Sequence, residues 1–223
     1  MGLVIDRSLR SVKRRALSPV SALLAKRLGR RGAGPVTLAA LGIGLAAALA
    51  AALDAFPAAL ALWLLNRVLD GLDGEVARRL GRADDRGGYL DLLVDLTVYA
   101  AVPIGAAIGT AGLPGAAGTL GSAWIWPLVA ALLATYYVNL GSYAFLGALM
   151  EKRGRGAAAR GEATSLVMPA GLVEGFETVV LVSAMLAFPA LLPLWLGLTA
   201  VLVGITAGQR AWWASRTLTE QSP

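Results

Sequence analysis

Four aspartates dominate the chemistry open to this sequence. Asp70 and Asp73 stand three residues apart, and Asp91 and Asp95 stand four apart. On helices either spacing puts both side chains of a pair on one face. Residues 79–86 form a link short enough to fold the two helices into an antiparallel hairpin, which points all four carboxylates at one spot. Like charges gathered in a low-dielectric cleft repel strongly unless countercharge is present, and divalent cations would supply it. Gly71, Gly74 and Ala77 leave a smooth strip beside the acids where a bulky ligand can approach backbone. Arg78 adds a fixed positive fork suited to phosphate. Carboxylates, hard metals, a small-residue floor and an arginine are the parts of a phosphoryl-transfer site. A purely structural ion-pair network is the weaker reading, because Arg67 and Arg78 are too few to neutralise five acids including Glu75.

The absent residue types narrow the chemistry further. With no cysteine and no histidine, thiol nucleophiles, imidazole bases, disulfides and nitrogen- or sulfur-ligated zinc are excluded. Carboxylates must do the base work, and a bound metal should be oxygen-loving, magnesium or manganese.

The elements that position these acids are membrane helices. The 223 residues are 57% hydrophobic and 15% charged, with a mean hydropathy of +0.67. Soluble domains run nearer half apolar and a quarter charged. Apolar blocks cover residues 36–53, 57–69, 96–108, 124–150, 167–186 and 191–207, and the first carries no charge at all. We expect an all-α protein of about six transmembrane helices. A charged side chain inside a span costs roughly 2.5–3.5 kcal/mol even on a lenient scale, so such residues need a reason. Here they gather where the second span ends and the third begins.

Lysine and arginine set the orientation. They crowd the segment before the first span, the link between the second and third spans (Arg78 to Arg86) and the link between the fourth and fifth (Lys152 to Arg160), while the other three connections have none. The positive-inside rule then puts both termini and the aspartates on the cytoplasmic side of the cell (inner) membrane. The formal charge of +6 is read as this topology signal and not as a nucleic-acid surface. Nothing at the start resembles a cleavable secretory signal. Val4, Ile5, Leu9, Val12 and Ala16 recur at helical spacing among basic residues. They predict an amphipathic juxtamembrane helix on anionic headgroups, with a break and restart at Ser18-Pro19. The expected organisation is a basic arm over 1–34, a six-helix catalytic domain over 35–213 and a cytoplasmic tail over 214–223.

The pattern Asp70-x-x-Asp73-Gly74-x-x-Ala77-Arg78, eight residues, then Gly87-x-x-x-Asp91-x-x-x-Asp95 resembles the signature of the CDP-alcohol phosphatidyltransferases at every fixed position. The resemblance implies six membrane helices, a homodimer, and a site shared between helices two and three. It implies that Asp70, Asp73 and Asp91 ligate two divalent cations, Mg2+ or Mn2+, holding the donor's diphosphate. Asp95 would touch the second metal and act as general base on a hydroxyl acceptor. Gly74, Ala77, Arg78 and Gly87 would line the nucleotide and phosphate pocket. The segment opening the first helix, which in the family helps hold the cytidine, is Gly34-Pro35-Val36-Thr37 here. It keeps Pro and Thr without the family's Asn and assigns contacts to Val36 and Thr37. The implied reaction is phospholipid synthesis: transfer of a phosphatidyl group from CDP-diacylglycerol or another CDP-alcohol, with release of CMP.

The acceptor must be read outside this signature. Lys152, Arg153 and Arg155, with Arg160, could clamp a phosphorylated acceptor, whereas Glu174 and Glu177 would suit a cationic one. Asn139 and Tyr143 share a helix face that could line the cavity, and Gly42-x-Gly44 looks like a close-packing face. Two rival readings remain at this level. An intramembrane prenyltransferase also uses Asp-rich helix ends, but on well-separated helix pairs. A non-enzymatic cation transporter usually places its acids near mid-bilayer and shows repeats, and none is visible in this sequence.

Overall fold

The computed structural model describes residues 18–29, 32–81, 85–111, 122–154, 171–173 and 175–219. These residues form helices α1 (residues 18–28), α2 (Gly34–Ala52), α3 (Phe56–Arg79), α4 (Asp85–Thr110), α5 (Ile125–Lys152), α6 (Gly175–Ala187) and α7 (Leu192–Thr219), with no strand among them. The all-α expectation holds, and α2 to α7 answer to the six apolar blocks. Four helices are long and apolar enough to cross a membrane: α2, α4, α5, and α7 counted from the turn at Pro189. The described part of α6 is a shorter apolar helix of 13 residues. Helix α3 has 24 residues, but its second half carries the charges of the signature. Its length, about 36 Å at 1.5 Å per residue, would itself cross a bilayer core.

Local chemistry sets the helix ends. Pro35 and Pro57 fall in the first turns of α2 and α3, where a missing N–H leaves no bond unmade. Gly81 and Gly154 adopt φ of 64° and 66° just past α3 and α5, the left-handed conformation that ends a helix and that glycine adopts without a Cβ penalty.

Helix α2 is the spine of the first layer. It packs along both α3 and α4, whereas α3 and α4 make few backbone approaches to each other. The two helices of the expected antiparallel hairpin therefore straddle α2 and meet through side chains rather than backbone. Small residues explain why α2 and α4 close up. A Cβ added at Gly105 or Gly109 would collide with the carbonyl of Ala48 or Ala51, and one at Gly44 would collide with Val98. These contacts climb both helices in the same sense, so α2 and α4 run parallel. The Thr37–Asp73 and Asn66–Ala40 hydrogen bonds run in opposite senses, so α3 is antiparallel to both. Bulky groups on α3 and α4 hold these two apart: Trp63 meets Tyr99 edge-on with centroids 5.6 Å apart. A second layer pairs α5 with α7, and α6 bridges α3 to α7. The core between the layers includes Trp63, Val98, Val102, Leu132, Met185 and Leu196.

The outer surface is apolar. Leu38, Leu49, Tyr137, Phe145 and Val201 are all more than half exposed, which suits acyl chains and not water. Gly44 is spent on packing within the chain, while Gly42 faces open space. The amphipathic pattern over Val4 to Ala16 lies outside the described residues. The described part of helix α1 starts at Ser18, where Arg79 Nη2 donates to Ser18 Oγ at 2.7 Å and ties α1 to α3. Helix α7 continues through Thr219, past the expected boundary at 213. The last turns are helped by Arg216, whose guanidinium lies 3.9 Å over Trp212, four residues earlier on the same face.

Candidate active site

The gap between α3 and α4 holds the polar chemistry. Trp63 touches Tyr99, and four residues on Arg67 meets Asp95, four residues earlier on the opposing helix. Continued one turn, this antiparallel register carries Asp70 opposite Asp91, and Asp73 beyond them toward the link. Asp95 lies within electrostatic reach of Asp70 and Asp91, and Asp73 of Asp70 and Asp95.

Each acid has a particular environment. Asp73 is buried, and its Oδ2 accepts from Thr37 Oγ1 at 2.9 Å. Thr37 thus reaches the site from α2, while Val36 beside it is buried in the core at 6% exposure. Asp70 and Asp91 are partly exposed. Asp95 Oδ1 is buried 2.9 Å from Arg67 Nη1, a close ionic contact without the alignment of a hydrogen bond. Glu75, also buried, pairs with Arg78 at 3.0 Å and Arg79 at 3.6 Å. The Arg78 fork arches over Gly74, where an added Cβ would lie 3.4 Å from Nη1. Ala77 is partly exposed on the same helix, and Gly87 is exposed in the first turn of α4.

The acids face one another without closing on a common centre. Among the described residues no three acidic side chains converge closely enough to enclose an ion, because Asp73 is turned onto Thr37 and Asp95 onto Arg67. The expectation of four carboxylates aimed at one spot is corrected to four carboxylates in one field, with Asp73 engaged by Thr37 and Asp95 by Arg67. The donor set still fits hard divalent cations. It is all carboxylate oxygen, the ligand type such ions prefer.

Sequence reasoning did not foresee the setting of Arg67. Its Nε and Nη2 donate to Asn66 Oδ1, and its Nη1 donates to Tyr99 at 3.0 Å. The guanidinium lies 4.8 Å from the Trp63 ring centroid and 4.9 Å from that of Tyr99. Asn66 is anchored on the Ala40 carbonyl, and the Trp63 indole on Ser183 of α6. A buried arginine needs such a cage, so Asn, Trp and Tyr at matching helical offsets were the available signal.

A second buried cation bridges α5 and α7. Arg210 Nη1 donates to the Asn139 side chain at 2.8 Å and to Ser142 at 3.2 Å, with Tyr143 5.3 Å from the guanidinium. Asn139 and Tyr143 thus share a face as expected and hold this arginine. Lys152 is exposed at the end of α5, and Arg153 donates to the Leu218 carbonyl of α7 at 3.2 Å. Arg155, Arg160 and Glu174 lie outside the described residues.

Fold and site together define an integral membrane protein of packed helices with an acid-rich cleft toward one end. Residues 33–208 match the family described as CDP-alcohol phosphatidyltransferase. Inner membrane protein YnjF of Escherichia coli (strain K12) is 32% identical over 189 residues, 82% of each chain. The crystal structure of Mycobacterium tuberculosis phosphatidylinositol phosphate synthase (PgsA1) with CDP-DAG bound superposes with a TM-score of 0.65 at 23% identity, over 88% of this chain and 94% of that one. The same synthase in complex with manganese and citrate gives 0.65 at 21% identity, over 87% and 88%. This chain belongs to the CDP-alcohol phosphatidyltransferase family, an enzyme family of phospholipid synthesis, which supersedes the prenyltransferase and transporter readings.

Proposed function

We propose that the protein transfers a phosphatidyl group from CDP-diacylglycerol to a hydroxyl acceptor and releases CMP, at a site on the cytoplasmic side of the membrane. The observation that carries this reading is the register across the α3–α4 gap, which sets Asp70, Asp73, Asp91 and Asp95 in one field beside the Arg78–Gly74 corner. Asp70, Asp73 and Asp91 would hold two divalent cations, magnesium or manganese, which when bound neutralise the donor diphosphate and the charge on the departing CMP. Thr37 holds the Asp73 carboxylate through Oδ2. Arg78, more than half exposed, is free to leave Glu75 for a phosphate oxygen.

Asp95 takes the proton from the acceptor hydroxyl. The acceptor oxygen forms its bond to the phosphorus that carries diacylglycerol, and the bond from that phosphorus to the CMP oxygen breaks. CMP leaves with the electron pair. The cleft opens among apolar helices, which accounts for placing this reaction in a membrane: the donor's acyl chains remain in lipid while its head enters the site. A phosphorylated acceptor is favoured, because Lys152 and Arg153 stand at the end of α5 that the positive-inside rule puts on the site's side.

The test is CMP release by the purified protein in detergent, with manganese, CDP-diacylglycerol and a panel of acceptors: glycerol phosphate, inositol phosphate, serine and a lipid hydroxyl. Acceptor-dependent CMP release that stops on chelation is expected. Absence of release with every acceptor, from protein that binds manganese and melts cooperatively, would overturn the assignment of donor.

A further inference from the structure

A buried carboxylate shared by two arginines stands at the end of α3, beside the cleft. We propose that Arg79 is a positioning residue for the donor: it stays with Glu75 as a resident countercharge, so that Arg78 can leave that carboxylate for the diphosphate. The inference rests on the proposed role of Arg78 at a phosphate oxygen and adds what makes the exchange possible.

Glu75 divides its two oxygens. Arg78 takes Oε2, with Nη2 at 3.0 Å and Nε at 3.3 Å, while Arg79 Nε stands 3.6 Å from Oε1. Helical spacing allows this, since the two arginines follow Glu75 by three and four residues and so share its face. The side chains differ in exposure: Glu75 9%, Arg79 34% and Arg78 53%. The most exposed of them is the guanidinium that arches over Gly74, the residue after Asp73. Arg79 is fastened from another side, where its Nη2 donates to Ser18 Oγ of α1 at 2.7 Å. Arg78 is therefore the partner that can move, and Arg79 the one that stays.

The physical consequence concerns what Glu75 is left with. Taking a cation away from a buried carboxylate is strongly unfavourable when the charge left behind is uncompensated. A donor phosphate must compete with Glu75 for the Arg78 guanidinium, and the strength of that competitor depends on the positive charge remaining beside it. With Arg79 at Oε1, Glu75 keeps a countercharge after Arg78 has swung away from Oε2. Any further contact of Glu75 leaves the direction unchanged: one cation fewer at Oε1 means a stronger grip on Arg78. If Glu75 instead served as a rest that aims Arg78 at the phosphate, neutralising it would weaken donor binding. The two roles thus predict opposite signs at one residue.

The test uses full-length protein in detergent with manganese, titrated calorimetrically with CDP, which carries the diphosphate. Donor KM is measured in parallel by CMP release. Arg79→Met should weaken CDP affinity and raise donor KM by about tenfold, the partial exposure of both arginines keeping the effect well below that of a dry pair. Acceptor KM and kcat should stay within about threefold, a split that general damage to the fold does not give. Glu75→Gln should bind CDP at or above wild-type affinity, since a neutral amide competes poorly for Arg78. The double variant R79M/E75Q should return to within about threefold of wild type, because Arg79 acts only through the Glu75 charge. A change of less than about threefold in CDP affinity for a cooperatively melting Arg79→Met protein overturns the proposal. So does Glu75→Gln protein that binds CDP more than about threefold more weakly than wild type, or a double variant no better than Arg79→Met. If Arg79→Met does not survive extraction, Glu75→Gln and R79M/E75Q decide, since both remove the charge that needs compensation: weakened CDP binding in either overturns the proposal. Failure of the underlying reading looks different. Arg78→Met with wild-type CDP affinity and donor KM would remove Arg78 from the phosphate, whatever the Arg79 variants return.

Discussion

Asn66→Ala tests whether the cage around Arg67 is a stabilising structure. The Asn66 side chain is fully buried, donates to the Ala40 carbonyl at 2.7 Å, and accepts from Arg67 at 2.8 Å and 2.5 Å. The Ala40 carbonyl, inside α2, keeps its helical partner and loses only a second donor, so that side of the change is small. The guanidinium loses its acceptor for two N–H groups in a place that water does not reach. An unsatisfied buried polar group costs about 1–3 kcal/mol, toward the upper end for a charged one. Interhelical hydrogen bonds in membranes average only about 0.6 kcal/mol, because the unfolded helices find other partners in lipid. A buried cation finds fewer such substitutes than a neutral group, so the larger figure should prevail, at about 2 kcal/mol. For a chain of this size each kcal/mol moves the melting temperature by roughly 2–4 °C. The assay is a thermal melt in detergent alongside CMP release, and a drop of about 4–8 °C with reduced kcat is expected. Asn66→Ala protein that melts with the wild type and turns over at the wild-type rate would refute the idea that Asn66 holds Arg67.

Asp70→Asn and Asp91→Asn should each abolish turnover under saturating manganese, and chelation should do the same to the unaltered protein; substantial activity in either variant sinks the two-metal reading. Asp95→Asn should keep most of its CDP-diacylglycerol affinity and lose about a hundred- to ten-thousandfold in kcat, the usual contribution of a positioned base; collapse of donor binding with turnover intact would mean the roles are reversed. If the acceptor carries phosphate, Arg155→Ala should raise acceptor KM by about ten- to a hundredfold, the loss of one charge-assisted hydrogen bond, with donor KM nearly unchanged. Gly105→Val should prevent normal assembly, since its Cβ would meet the Ala48 carbonyl; a melt equal to wild type would show that α2 and α4 do not approach as closely as described.

The two kinds of information divide along physical lines. Sequence alone determines the helical membrane class, since long apolar runs leave a backbone in lipid no alternative to satisfying itself internally. It also determines the reaction family, because the identity and spacing of Asp70, Asp73, Asp91 and Asp95 are local properties of two helix ends. The helix ends at Gly81 and Gly154 are equally local. What lay beyond reach was set by side-chain volume between elements distant in sequence. Gly44, Gly105 and Gly109 draw α4 onto α2, and Trp63 and Tyr99 hold its backbone off α3. The partners of the acids follow from that packing: Thr37 for Asp73 from α2, and Arg67 for Asp95 across the gap. A charge count finds Arg67 without saying which acid it takes, because that choice belongs to helix register, and only the tertiary structure decides register.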